Sequence, residues 1–264
     1  MAVSLLTPML VFADSASARA APTDPVTALK RQFRSGHGVK VSETTRIDFG
    51  EGEPITTRRH GRLQFGPSGL IARDTTQRVV TDTAIVSPQR TIIIDGQRYL
   101  SGGSYDLVEL PEGKEWVRSA KEPQAIGAAY GDETLNLFEL VTLKTLLRSS
   151  ARSRSASLTS YRGSISYSEL YRLSRSFRNL TSRPTGDFAR IRIGWRLWTD
   201  GTGLVNRVVT KTEYPKKWSL TMKSDTRYTG WGSRMTIAPP PPGQIVDEKD
   251  LKSGPGLEEA LAER

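Results

Sequence analysis

The stretch "TIIIDGQRYL", Thr91 to Leu100, is the clearest local signal in this chain of 264 residues. Asp95-Gly96 suits a two-residue type I′ turn, which needs positive φ at both central positions. Ile92 and Ile94 before it, and Tyr99 and Leu100 after it, are residues that fit a pleated surface. The stretch therefore predicts a tight antiparallel hairpin, and its neighbours repeat the theme. In "GVKVSETTRIDFG", Val39, Val41, Ile47 and Phe49 fall at odd positions with polar residues between them, the alternation of a strand buried on one face. "HGRLQFGPSGLIARDTTQ" reads as a second hairpin about a Gly66-Pro67-Ser68-Gly69 turn, and "SYDLVELPEGKEWVRS" as a third. The first 120 residues are thus expected to form a meander of antiparallel strands, preceded by a short helix at "TDPVTALKRQFRSGHG" with Thr23 or Asp24 as cap, Pro25 in the first turn and Gly36 at its end.

Two helical signals then interrupt the strands. In "GDETLNLFELVTLKTLLRSS", Asp132 is a plausible N-cap, and apolar residues from Leu135 to Leu147 cover most of a helix circumference, as in a helix buried on most sides. "SYSELYRLSRSFRNL" carries a stripe of Leu170, Leu173 and Phe177, with Arg172, Arg175 and Arg178 on its wet side. Strands return at "FARIRIGWRLW", where Ile191, Ile193, Trp195 and Leu197 share one face and Arg190, Arg192 and Arg196 the other. The proline run in "APPPPGQIVDEKDLKSGPG" reads as the domain edge. Strands, helices and strands again, without β-α alternation, imply an α+β fold in which one antiparallel sheet curls around an inserted helical segment.

Composition limits the chemistry. The net charge of +10 implies an anionic neighbour. Between Arg148 and Arg192 stand ten arginines and no lysine, against Glu169 and Asp187. With no cysteine in the chain, disulfides, thiolate metal sites, a cysteine nucleophile and an acyl-anchored lipoprotein cysteine are excluded. Only His37 and His60 are available for imidazole chemistry, and both read as turn residues. No nucleophile elbow, zinc motif, phosphate loop or dinucleotide turn occurs. Neither a catalytic residue nor a metal or other cofactor is expected, and the reading is non-enzymatic. The apolar run from Ala2 to Ala13, followed by Ala18-Arg19-Ala20, reads as a signal peptide over residues 1–20.

Taken in order, "HGRLQFGPSG", "LPEGKEWVR", "SYRGSISYSELYRL", "RLWTDGTGLVNRV" and "YTGWGSRMTIAPPP" resemble exported actinobacterial proteins of the LolA-like superfamily, nearest to the LppX/LprA/LprF/LprG-type lipoproteins. The resemblance spans residues 24–242, leaving 243–264 as a flexible tail. It implies an unclosed antiparallel half-barrel wrapped around two or three helices on its concave face, with acyl chains held between them. The chain departs from it by lacking the lipobox cysteine, so free secretion, to the cell envelope or outside the cell, replaces anchoring. A cavity for a lipid or lipidated ligand is expected along Phe65, Trp116, Leu137, Phe138, Val141, Trp195 and Trp218, with plain core packing as the alternative at each. Arg152, Arg154, Arg172 and Arg175 are the candidate contacts to an anionic head group or cell-envelope polymer. Two other readings stand beside lipid carriage: a protein-binding sensor module on the same scaffold, and a polyanion binder using the arginines between 148 and 192. Nucleic acid is not expected.

Overall fold

The computed structural model describes residues 23–50, 52–80, 87–119, 133–155 and 158–251. The leader, Asp132 and residues 252–264 of the expected tail lie outside the described residues.

Helix α1, Pro25–Gln32, starts as expected: the Asp24 carboxylate accepts from the Thr27 amide at 2.9 Å, and proline fills the first turn. Its buried face carries Ala28 and Leu29. Six strands follow: β1 His37–Asp48, β2 Ile55–Gly66, β3 Gly69–Val80, β4 Gln89–Ile94, β5 Gln97–Ser101 and β6 Trp116–Arg118. Asp95 and Gly96 join β4 to β5 with φ of 50° and 76°, the pair of positive values a type I′ turn requires. After α2, Leu140–Arg148, come β7 Ala151–Arg154 and β8 Thr159–Ser166. Three short helices, α3 Tyr167–Leu173, α4 Arg175–Leu180 and α5 Gly186–Arg190, lead into β9 Arg192–Thr199, β10 Val205–Glu213, β11 Thr221–Arg234 and β12 Ile245–Asp247. The strands make one sheet in the order β12-β6-β5-β4-β3-β2-β1-β11-β10-β9-β8-β7. Its two end strands do not pair with each other, so it is an unclosed half-barrel. Every pairing is antiparallel except β12 with β6.

One face of the sheet is covered by helices. There Val39 and Val41 of β1, Leu63 and Phe65 of β2, Tyr228 of β11, Val208 of β10, Leu197 and Trp195 of β9 and Ile165 of β8 meet Leu29, Leu143, Leu146, Leu170 and Phe177 in one continuous core. A smaller cluster lies on the opposite face, where Met235 and Ile237 run back over Ala72, Ile92 and Trp116.

Four expectations are corrected. The helix at 132–148 begins only at Leu140. Residues 133–139 run across the concave face without forming a helix, because the Glu133 and Asn136 side chains accept from the Leu135 and Phe138 amides and compete with helical bonding. The all-round apolar pattern was the sum of a buried irregular segment and an amphipathic helix. The second helix is broken at Ser174, whose hydroxyl caps α4 by accepting from the Phe177 amide, while Ser166 and Glu169 form a capping box on α3. "SYDLVELPEGKEWVRS" holds one strand, not a hairpin: residues 103–107 form a 3-10 turn and only Trp116–Arg118 pairs. Finally, the chain past Pro242 is not all tail, since Ile245–Asp247 extends the sheet as its edge strand and Leu251 is buried.

Phe65 is fully buried and touches the rings of Phe33, Phe138 and Trp231. Phe65→Ala is expected to cost about 3–5 kcal/mol, measured as a lower urea midpoint at unchanged m-value.

Candidate functional site

Among the described residues, the aromatic part of the concave interior is close-packed. Phe138 packs with ring centroids 5.4 Å from Phe65, 5.7 Å from Tyr228 and 6.0 Å from Trp231. The space left between Leu29, Leu137, Phe138, Tyr228 and Trp231 is about 10 Å³, too small for more than a single water. Phe65, Leu137 and Phe138 therefore meet as the sequence reading expected, but as core. Trp231, which that reading did not place at the site, completes the ring cluster and donates from Nε1 to the Val205 carbonyl at 2.8 Å.

The other expected cavity residues go elsewhere. Trp116 is buried on the opposite face of the sheet, beneath Met235 and Ile237, with the Arg90 guanidinium 5.3 Å from its ring centroid. Val141 is 60% exposed on the outer side of α2, and Trp218 sits at the surface against Phe188, 4.8 Å between centroids. Neither lines the interior. Trp195 is buried, but it belongs to a different site.

That site is an open groove of about 1130 Å³ at the β8 end of the half-barrel. β7 pairs with residues 159–162 of β8, so the edge of residues 163–166 has no neighbouring strand among the described residues. The groove follows this edge, bounded by the C-terminal half of α2 (Thr145, Ser149) and by α3 (Glu169, Arg172, Leu173). Its apolar floor is Trp195, Ile165 and Leu173. Gly163 makes the floor possible: a β-carbon there would sit 2.7 Å from Cζ2 of Trp195. The Trp195 Nε1 donor is buried and makes no hydrogen bond among the described residues. Arg162, Arg172, Arg192 and Arg196 rim the groove, and none forms an ion pair among the described residues. Arg192 donates to the Ser164 hydroxyl at 2.6 Å, and Arg196 stacks over Trp198. The one acid at the rim, Glu169, is held by Ser166, whose amide and hydroxyl both donate to it at 2.8 Å. Those bonds keep its carboxyl below the usual range.

Of the arginines expected to hold an anion, Arg172 lines the groove. Arg152 lies 5.7 Å over the Tyr161 ring, in a separate, smaller hollow of about 750 Å³. Arg154 and Arg175 are exposed and line neither. Arg162, Arg192 and Arg196 were missed as site residues, although the alternation in "FARIRIGWRLW" already set Arg192 and Arg196 on one face.

A buried polar row crosses the concave face beside the aromatic core. Arg59 donates to Glu43 at 3.1 Å, Thr45 and Ser224 share a hydrogen bond of 2.7 Å, and Thr210 donates to Glu133 at 2.9 Å. Burial pushes the Glu133 carboxyl up to about 8, with the Glu43 charge adding to the shift. Burial likewise raises the Tyr228 phenol, whose oxygen makes no hydrogen bond among the described residues. Neither carboxylate lines the groove. Glu133 ties residues 133–135 to β10 by accepting from Thr210 and from the Leu135 amide, whereas Glu43 accepts from Arg59 and Thr226.

No family model and no curated protein matches the chain. Similar solved structures include a DUF1329 family protein from Desulfovibrio piger, at 9% identity over 82% of this chain and 96% of the other, TM-score 0.29. A LolA superfamily protein from Nitrosomonas europaea is 6% identical over 81% and 93%, TM-score 0.28. A domain from Vibrio parahaemolyticus assigned to outer membrane lipoprotein sorting is 6% identical over 78% and 89%, TM-score 0.30. TM-scores this low establish neither family nor function.

Glu133 supplies a pH signature. In the folded chain it keeps its proton up to about pH 8, whereas in the unfolded chain it ionises near 4.5. The unfolded state therefore binds fewer protons between these values, and stability contributed by Glu133 is lost as pH rises from about 4.5 to 8. In Glu133→Gln, calorimetry is expected to show a flatter dependence of Tm on pH across that window than in the parent.

Proposed function

We propose that this chain is a non-enzymatic binding protein that holds an anionic acyl-chain ligand in the groove along β8. The groove itself carries the reading. It has an apolar floor long enough for alkyl carbon, and four arginines at its rim that fit a carboxylate or phosphate head group. An apolar cleft with a few convergent polar groups is the usual form of a small-ligand site. The acyl chain would lie over Trp195, Ile165 and Leu173, and the head group between Arg172 and Arg192. The leader, read as a signal peptide, puts this binding in the cell envelope or outside the cell.

A second reading is a protein-binding module. The unpaired edge of residues 163–166 offers backbone groups to which an extended peptide adds as a strand.

Native mass spectrometry of the chain titrated with a long-chain fatty acid and with phosphatidylglycerol tests the proposal. A one-to-one adduct is expected. Arg172→Gln combined with Arg192→Gln is expected to weaken it at least tenfold, as each lost charged hydrogen bond is worth about 1.5–3 kcal/mol. A clean unliganded mass at every lipid concentration would discard this reading in favour of the strand-edge one.

A further inference from the structure

The outer face of the sheet, opposite the helices, places cations directly across from cations. The register sets Arg46 of β1 against Lys223 of β11, and Lys223 in turn against Lys211 of β10. One step up the strands, Arg58 of β2 faces Arg78 of β3. At the other side of the sheet Arg162 of β8 faces Arg196 of β9. All seven side chains are exposed. Opposed residues on antiparallel strands lie about 5 Å apart at Cβ, and like charges there are destabilising. A sheet face that only had to stay soluble would alternate its signs.

Few acids relieve this arrangement. Asp225 is taken up by Arg207, at 2.8 and 2.6 Å, and buried Asp74 by Arg62 and Arg90. Glu213 pairs with Lys211. Arg46, Lys223, Arg58, Arg78, Arg162 and Arg196 form no ion pair among the described residues. The band from Arg78 to Arg162 spans seven strands, β3-β2-β1-β11-β10-β9-β8, or about 30 Å at the strand spacing. Arg46, Lys223 and Lys211 lie one register step from the line through Arg78, Arg58, Arg196 and Arg162, on which the central strands place Thr44, Asp225 and Val209.

We propose that this outer face is a second binding surface, and that it takes a flexible, non-aromatic polyanion with repeated phosphate groups. The span and the exposure ask for a partner with many charges, beyond the reach of one anion. The curvature selects flexibility, because a convex face touches a straight rod or a flat bilayer only along a narrow strip, whereas a supple chain follows it. The aromatic content argues against single-stranded nucleic acid, which relies on stacking. The ring in this part of the face, Trp198, is already held between Arg196 and Arg207, at 5.3 and 5.1 Å. This surface is independent of the groove reading: five of the seven cations lie outside the groove, and either can fail without the other.

The test uses the full chain and long-chain inorganic polyphosphate, with Kd measured at several salt concentrations. A single flexible chain loses affinity with a slope of about 0.7 per phosphate engaged, so a slope of about 3 or more is expected. The variant Arg46→Gln, Arg58→Gln, Arg78→Gln, Lys223→Gln is expected to bind at least tenfold more weakly with a reduced slope, while its Tm stays level or rises because opposed charges are relieved. A charge-matched control, Lys30→Gln, Arg31→Gln, Arg34→Gln, Arg175→Gln, is expected to keep the parental slope. Equal losses in the two variants would overturn the proposal by assigning the binding to bulk charge. Tighter binding of an oligothymidylate than of polyphosphate, or binding to phosphatidylglycerol vesicles alone, would overturn the choice of partner.

Discussion

The placement of residues 133–139 across the concave face is the constraint on which the rest of this structure depends. Glu133 anchors the segment at one end, accepting from Thr210 and from the Leu135 amide. Leu135, Leu137 and Phe138 then occupy the space that an open half-barrel would otherwise leave between sheet and helices. Burying an acid is costly unless it stays protonated or paired. The structure meets that cost with hydrogen bonds and a raised carboxyl, and obtains in return a close-packed core in which the rings of Phe65, Phe138, Tyr228 and Trp231 touch.

With the ring cluster packed, the groove and the opposed cations described above lie at the edge of the sheet and on its outer face. At the edge, β7 is too short to cover β8, and the exposed stretch is floored by Trp195 and rimmed by arginines. On the outer face, cations face one another across strands. The two surfaces share Arg162 and Arg196, which stand where the outer face turns into the groove.

The architecture was legible because hairpins write themselves locally. Asp95-Gly96, the alternation from Val39 to Val41 and the Asp24-Pro25 helix start each depend on a few adjacent residues. The interior was less legible. A run such as "ETLNLFEL" has the same apolar content whether it coils or lies extended in a core, and only the side-chain bonds of Glu133 and Asn136 decide. Trp116 shows the limit of a face assignment made without register: its neighbour Val117 points to the concave side, so it must point away. The cationic ladder was the least legible feature. Arg46, Lys211 and Lys223 are scattered in the sequence, outside the dense run of arginines between 148 and 192. Only strand pairing brings the three into one row.

That pairing has a consequence for how the chain reaches its native state. β1 and β11 are adjacent at the centre of the sheet, yet the Thr45 and Ser224 side chains that bond across them are 179 residues apart. The contact order at the heart of the fold is therefore high, and folding of such topologies is slow because the closure entropy is met before the contacts form. The halves from β1 to β6 and from β7 to β10 are built of near neighbours, but neither owns the central seam, which closes only once β11 has been made. The sheet of such a chain cannot be completed until β11, far along the sequence, has been made.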